Sequence, residues 1–374
     1  MRVGLNLLHA LPEIGGGWNY VRSLIKGLAR VDREDTFIAF VTRESEVLVP
    51  ARPNFTVVRV DIRSALRAWR VAFENTALLI MARHRRLDCL HWFSQTHALL
   101  NVVPSAVTIY DLHPFLRLGP YSPVKRLYLK LMIGQAARRA GILLPMSEAT
   151  ASDLEKILGA ARSRMTVIPP VLEDELRPAA AAEAARFRAA HRLPERFWLY
   201  VAHFHPHKNH LRLLEAYKLL TAEGPAWPIV LRGDDKGNRG EVEKRTLELG
   251  LQDRVVFLPR LESGDLPLLY ASASALVFPS LYEGGGLPVV EAMACGLPVA
   301  ASRIPPVMEF ARGAALGFNP ADVPSIAAAM GQLAGDAALR EAKRREGLAR
   351  AGEFRAEVVV PRLLDAYRRA AARR

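Results

Sequence analysis

The sequence predicts an α/β protein built as two doubly wound, Rossmann-like domains. Three observations lead there. Apolar strand-like runs alternate with helical stretches along the whole chain, the rhythm of βαβ units in a parallel sheet covered by helices. That rhythm breaks once, at Pro169-Pro170 and the Ala-rich, charged stretch 173–194. With 374 residues, the chain is long enough for two domains of roughly 150 residues each.

In the first half the strand-like runs are 3–8, 37–41, 55–60, 87–92, 106–110, 142–145 and 165–168. Helical patterns at 18–30, 65–85, 123–140 and 148–158 lie between them, with Ser147 placed to cap the last. The second half repeats the rhythm at 197–202, 229–231, 255–258, 275–278 and 298–301. The expected division is 1–170 as the first domain, 171–194 as a linker and 195–353 as the second domain. Residues 354–374 form a closing helix that packs outside the second sheet or bridges back to the first. Two such domains facing each other leave a cleft at the carboxyl ends of their strands, so the loops there carry the expected function.

Half the residues are hydrophobic and 24% are charged, which fits well-filled globular cores. Cys89 and Cys295 both sit in apolar runs, which excludes a disulfide framework and suits a reducing compartment. Asn6 and His9 interrupt the apolar start, and no small-residue cleavage site follows, so the beginning reads as a buried strand rather than a signal peptide. No run approaches the ~20 apolar residues of a membrane-spanning helix. The expected location is cytoplasmic.

The net charge of +13 suits either a solvated Arg-rich surface or attraction to an anion such as a nucleotide diphosphate or an anionic lipid surface. Basic clusters at 63–70 and 83–86 flank a predicted helix bearing Trp69 and Phe73, a combination able to lie on the inner face of a membrane. Without zinc-finger spacing, an RNA-recognition signature or a basic helix with a dimerisation seam, nucleic acid is not an expected partner.

The most specific chemistry lies at 280–299. Glu283 and Glu291 stand eight positions apart on either side of Gly284, Gly285, Gly286 and Pro288, between a strand and a helix start. Proline suits the first helical turn, and glycines let backbone N–H groups approach an anion or a hydroxyl-rich group. A second loop, from His9 through Gly15, Gly16 and Gly17 to Tyr20, offers similar backbone access but lacks dinucleotide spacing. His203, His205, His207 and His210 place four imidazoles in eight residues. Neither a nearby cysteine nor an acidic partner supports them, so no metal is expected.

The segment Pro279-Ser-Leu-Tyr-Glu-Gly-Gly-Gly-Leu-Pro-Val-Val-Glu-Ala-Met-Ala-Cys-Gly-Leu-Pro-Val299 resembles the signature of family 4 retaining glycosyltransferases of the GT-B fold. Gly15-Gly-Gly-Trp-Asn-Tyr-Val-Arg-Ser-Leu24, Thr108-Ile-Tyr-Asp-Leu112, Pro145-Met-Ser-Glu-Ala149, Tyr200–Asn209, Leu231-Arg-Gly-Asp234 and the closing Phe354…Tyr367 follow the family's order across nearly the whole chain. The resemblance implies that Glu291 accepts hydrogen bonds from a ribose. It gives Glu283 the donor sugar's hydroxyls, helped by backbone N–H groups of Gly285, Gly286 and Leu287, and it sets Lys208 against the diphosphate. Ala202 and His203 stand where the family often has glycine and arginine, with Arg232 or Arg260 as candidate substitutes beside Gly233. Gly285 replaces a common aromatic, and Tyr110 replaces a common histidine. Whether Asp111 or His113 touches the sugar is left open by the comparison.

The implied activity is transfer of a hexose, with mannose favoured, from a nucleotide diphosphate sugar to a saccharide or lipid-linked saccharide acceptor. GDP-mannose is the favoured donor and UDP-sugars stay open, with no separate cofactor. The alternative is a GT-B protein that binds sugar nucleotides without transfer.

Overall fold

The computed structural model describes residues 1–11, 16–62, 67–100, 102–116, 122–224, 226–259, 261 and 264–373. Gly15, Arg63 and Arg260 lie outside them. The strands are β1 Arg2–Asn6, β2 Thr36–Val41, β3 Phe55–Arg59, β4 Cys89–Trp92, β5 Ser105–Ile109, β6 Ile142–Pro145, β7 Trp198–Val201, β8 Ile229–Arg232, β9 Val255–Leu258, β10 Ala275–Phe278, β11 Val299–Ser302 and β12 Ala315–Phe318. The helices are α1 Gly16–Val31, α2 Arg67–Glu74, α3 Ala77–His84, α4 Pro123–Arg139, α5 Glu148–Leu158, α6 Ala181–Ala190, α7 His210–Ala222, α8 Arg239–Glu248, α9 Leu266–Ser272, α10 Leu287–Ala294, α11 Pro305–Ala311, α12 Val323–Gly335, α13 Ala337–Ala351 and α14 Ala356–Ala371.

The chain divides into two compact units, Met1–Glu173 with Phe354–Arg374, and Asp174–Glu353. Each holds one parallel six-stranded sheet, ordered β3-β2-β1-β4-β5-β6 and β12-β11-β10-β7-β8-β9. The two orders are the same winding repeated, so each sheet reverses direction of growth once, beside its first strand. Strands such as β1, β5, β10 and β11 are buried along nearly their whole length, which is why a parallel sheet covered on both faces reads as continuous apolar runs.

In the first unit, Ser147 Oγ accepts the Thr150 N–H at 3.0 Å and caps α5, as its sequence predicts, and Gly159 ends that helix in the left-handed region at φ 63°. Other expectations are corrected. The helix read at 65–85 is two helices. Asn75 Nδ2 and Thr76 Oγ1 donate back to the Val71 and Ala72 carbonyls at 2.8 and 2.7 Å, and the turn breaks there. Residues 165–168 follow β6 through only two backbone bonds, Thr166 to Leu143 and Ile168 to Pro145, before Pro169-Pro170 ends the pairing. Of the two placements expected for the closing helix, the return to the first unit is the one found: in α14, Val359, Leu363 and Tyr367 join the core of α1 and β1.

The stretch read as a linker contributes α6 to the second unit, where Phe187 and Ala184 are buried and Ser272 donates to the Ala184 carbonyl. β12, whose apolar run is interrupted by Gly317, goes unmarked in the sequence and completes the second sheet against β11. No described helix is long and apolar enough to cross a membrane.

Candidate functional site

The second sheet reverses between β7 and β10, which pair in parallel. Doubly wound sheets bind ligands at such a reversal, outside the carboxyl ends of the strands. The loop leaving β7 carries Lys208 and the loop leaving β10 carries Glu283, and several bonds stitch the two together. Tyr200, buried in β7, donates its hydroxyl to the Lys208 carbonyl at 2.6 Å and lies 3.3 Å from Ser280 Oγ. Leu281 N–H donates to the His207 carbonyl at 2.8 Å. Asn209 Nδ2 donates to the carbonyls of Pro279 and Pro320 at 3.0 and 2.8 Å. At φ 63° Asn209 turns the chain directly into α7, a conformation asparagine tolerates better than most residues.

Across this corner Lys208 Nζ donates to Glu283 Oε1 at 2.5 Å, with side chains 18% and 15% exposed. Sequence reasoning gave these residues separate parts of a donor, and the structure makes them each other's partner. Gly285 and Gly286 are buried, and Gly286 opens α10 with Pro288 in the first turn. A Cβ on Gly286 would meet Val307 at 3.5 Å, an ordinary contact, so packing alone does not demand glycine there.

Glu291 falls in the second turn of α10, because the helix begins at Leu287. Its side chain is buried, and the Tyr270 hydroxyl donates to Oε2 at 2.7 Å. Arg232 ends β8 with Nη1 3.7 Å from Asp234 Oδ1, and its charge also reaches Tyr270. Gly233 has a packing role: a Cβ there would sit 1.8 Å from the Ala202 carbonyl oxygen. His203 Nδ1 accepts the Asp234 N–H at 3.1 Å. Burial lowers its pKa against the opposing pull of Asp234. The imidazole is therefore neutral at neutral pH and keeps its proton on Nε2, a donor without charge.

His205 and His207 meet through their Nδ1 atoms at 2.7 Å, one imidazole donating to the other. His210 is buried between the Tyr200 and Phe204 rings, with its pKa pushed down to about 3 by burial and then by Lys208. Among the described residues no three His, Cys, Asp or Glu side chains come together to hold a metal ion.

In the first unit, Asp111 and His113 lie beyond β5 in one turn. Asp111 Oδ1 accepts the His113 N–H at 3.0 Å, and Oδ2 lies 3.8 Å from His113 Nδ1. Gln95 Oε1 accepts the N–H groups of Tyr110 and Asp111 at 3.0 and 3.3 Å and fixes this turn. Gly16 and Gly17 belong to the first turn of α1 rather than to a loop. Tyr20 is a core residue: its hydroxyl donates to the Ile168 carbonyl at 3.0 Å and its ring packs edge-on against Tyr110. It does not belong to a phosphate or acceptor loop.

The sequence reading missed a buried polar group beside the reversal of the first sheet. Asn6, at the end of β1, donates to Glu74 Oε1 at 3.0 Å. Burial raises the Glu74 pKa, opposed by Arg70 and the Asn6 bond. Nearby His9 is pushed to about 3 by burial and then by Arg70. Nothing in a charged helix end at position 74 distinguishes it from a solvated residue before folding.

Residues 15–171 match the family described as a glycosyl transferase 4-like domain, and residues 182–350 match glycosyl transferases group 1. The chain is 30% identical over 268 residues to the O-antigen chain mannosyltransferase B of Escherichia coli, an alignment covering 71% of this chain and 70% of that protein. Sucrose-phosphate synthase from Thermosynechococcus elongatus superposes with a TM-score of 0.81 at 21% identity, covering 100% of this chain and 99% of that one. HepE of Anabaena, in complex with UDP-glucose, superposes with a TM-score of 0.76 at 17% identity, covering 98% of each chain. The repeated winding of two Rossmann-like sheets, the stitched glycine corner at the second reversal and these matches together place the chain among the family 4-like glycosyltransferases of the GT-B fold.

Proposed function

We propose that the chain is a retaining hexosyltransferase that moves a hexose, mannose favoured, from a nucleotide diphosphate sugar to a saccharide or lipid-linked saccharide. The observation that carries this reading is the Lys208–Glu283 pair at the β7–β10 reversal, beside the start of α10. In this reading Lys208 neutralises the departing diphosphate together with the N–H groups at the start of α10, where partial positive charge collects. Glu283 accepts sugar hydroxyls, and Glu291, steadied by Tyr270, accepts from the ribose.

The anomeric carbon–oxygen bond to phosphate breaks as the acceptor oxygen bonds to that carbon from the same face. The acceptor proton passes to the leaving phosphate, so no carboxylate nucleophile is needed. The positive charge comes from Lys208, with Arg232 nearby, and not from a metal. Mannose is favoured by the relative from Escherichia coli, whereas the UDP-glucose complex of HepE keeps a uridine donor open. The reaction would take place at the inner face of a membrane if the acceptor is lipid-linked.

A second reading, sugar-nucleotide binding without transfer, is favoured by one observation: His203 offers a neutral donor where the family often has arginine. Thermal-shift measurements with GDP-, UDP- and ADP-sugars, followed by product analysis with mixed acceptors, test both. Stabilisation plus product supports transfer, stabilisation without product supports the second reading, and no shift with any donor refutes both.

A further inference from the structure

Besides Trp69 of α2, which is 70% exposed on the stretch where the sequence placed a membrane-facing patch, the structure exposes a longer apolar stripe on α4. Val124, Leu127 and Leu131 are 79%, 59% and 61% exposed, and Tyr128 between them is exposed too. Their spacing puts all four on one face of the helix. The opposite face, with Ile133, Ala136 and Ala137, is already buried in the core, so the outer stripe is not needed for folding.

The stripe continues onto the neighbouring loop. Gln135 Nε2 donates to the Ala98 carbonyl at 2.7 Å and Arg139 Nη1 to the Leu99 carbonyl at 2.6 Å. These bonds hold the exposed Leu99 and Leu100 beside the helix. Within α4 there are five basic residues, Lys125, Arg126, Lys130, Arg138 and Arg139, and no acidic one.

We propose that this face docks the protein on an anionic lipid surface. Leucines that can enter the acyl boundary, a tyrosine suited to the interface and the exposed Arg138 and Arg139 on a helix without an acidic residue satisfy both halves of such a surface at once. A second copy of the chain fits it less well, since a two-fold contact through this face would bring the exposed Arg138 and Arg139 of both copies into one interface. The proposal goes beyond the transfer reaction, because its readout is partition onto a membrane.

The test is co-sedimentation of the full chain with vesicles of phosphatidylcholine alone and of phosphatidylcholine mixed with phosphatidylglycerol. Binding to the mixed vesicles that weakens with salt is expected. The Leu127→Ser/Leu131→Ser variant should bind them about tenfold more weakly or worse, with an unchanged melting temperature, since both leucines are exposed. Absence of binding at low salt, or equal binding by the variant, overturns the proposal. So does a concentration-dependent dimer in sedimentation velocity that the same variant abolishes.

Discussion

Lys208→Ala separates two consequences that the structure ties to one side chain. The ammonium lies 2.5 Å from Glu283 Oε1 at the end of a helix-start loop, where a departing diphosphate would gather charge. Removing one preorganised charged contact from such a site costs about 3 kcal/mol of transition-state stabilisation, roughly two decades in kcat. The same change leaves the Glu283 carboxylate without its partner. A charge-assisted bond is worth about 1.5–3 kcal/mol, and because both side chains still touch water the stability loss should be nearer 1 kcal/mol. That corresponds to a fall of about 2–4 °C in melting temperature for a unit of this size.

Steady-state turnover of the donor and thermal melting read the two effects separately. In Lys208→Ala/Glu283→Ala, which leaves no orphaned carboxylate, the melting temperature should recover while turnover stays low. Near-normal turnover in Lys208→Ala refutes the leaving-group role, and a double variant no more stable than the single one refutes the orphaned-charge argument.

Gly233→Ala forces a Cβ to within 1.8 Å of the Ala202 carbonyl oxygen, backbone against backbone. A loss of about 3 kcal/mol or more is expected, visible as a lower denaturation midpoint. Tyr270→Phe removes the hydroxyl that donates to the buried Glu291, so the donor KM should rise about tenfold with kcat little changed, as measured by initial rates. Folding holds His210 neutral with a pKa of about 3, below the ordinary 6.5. The unfolded chain therefore binds more protons between those values, and stability is fully present above 6.5 and falls as pH drops below it. The slope approaches about 1.4 kcal/mol per pH unit for this one site. His210→Phe, which keeps the stacking between Tyr200 and Phe204, should flatten the melting temperature against pH between 6.5 and 5, and an unchanged slope would count against the argument.

Much of this architecture is legible before folding because a parallel sheet buried on both faces leaves apolar runs such as Val255-Val-Phe-Leu258, and because Ser147 and Gly159 mark the ends of α5 locally. The glycine corner is legible for a similar reason: Gly286, Pro288 and the helix start lie within a few residues of one another. What the sequence hides depends on distant partners. Asn209 reads as a loop residue until Pro279 and Pro320 arrive beside it, and Tyr20 reads as part of a ligand loop until Ile168 takes its hydroxyl. Glu74 reads as a solvated helix end until Asn6 and Arg70 enclose it. The outer face of α4 escaped notice because the helix is apolar on two opposite sides, which cancels the one-sided pattern that marks an amphipathic surface helix.

The Lys208–Glu283 pair also shows how a site of this kind holds its geometry before a ligand arrives. Tyr200, Leu281 and Asn209 fix the two loops, but the side chains that would meet a donor are long and flexible, and each loses rotamer freedom when held. Pairing them places both charged groups in the corner in advance and keeps either charge from standing alone in a half-buried loop. In the proposed reaction the donor then exchanges partners rather than creating order. Its diphosphate replaces the carboxylate as the anion facing Lys208, and its sugar hydroxyls replace the ammonium as donors to Glu283. A free diphosphate makes only the first exchange and leaves Glu283 unsatisfied, whereas the intact donor completes both. In that reaction the corner would distinguish sugar nucleotide from bare nucleotide through the cost of an unpaired carboxylate, a selectivity built from one ion pair and two stitched loops.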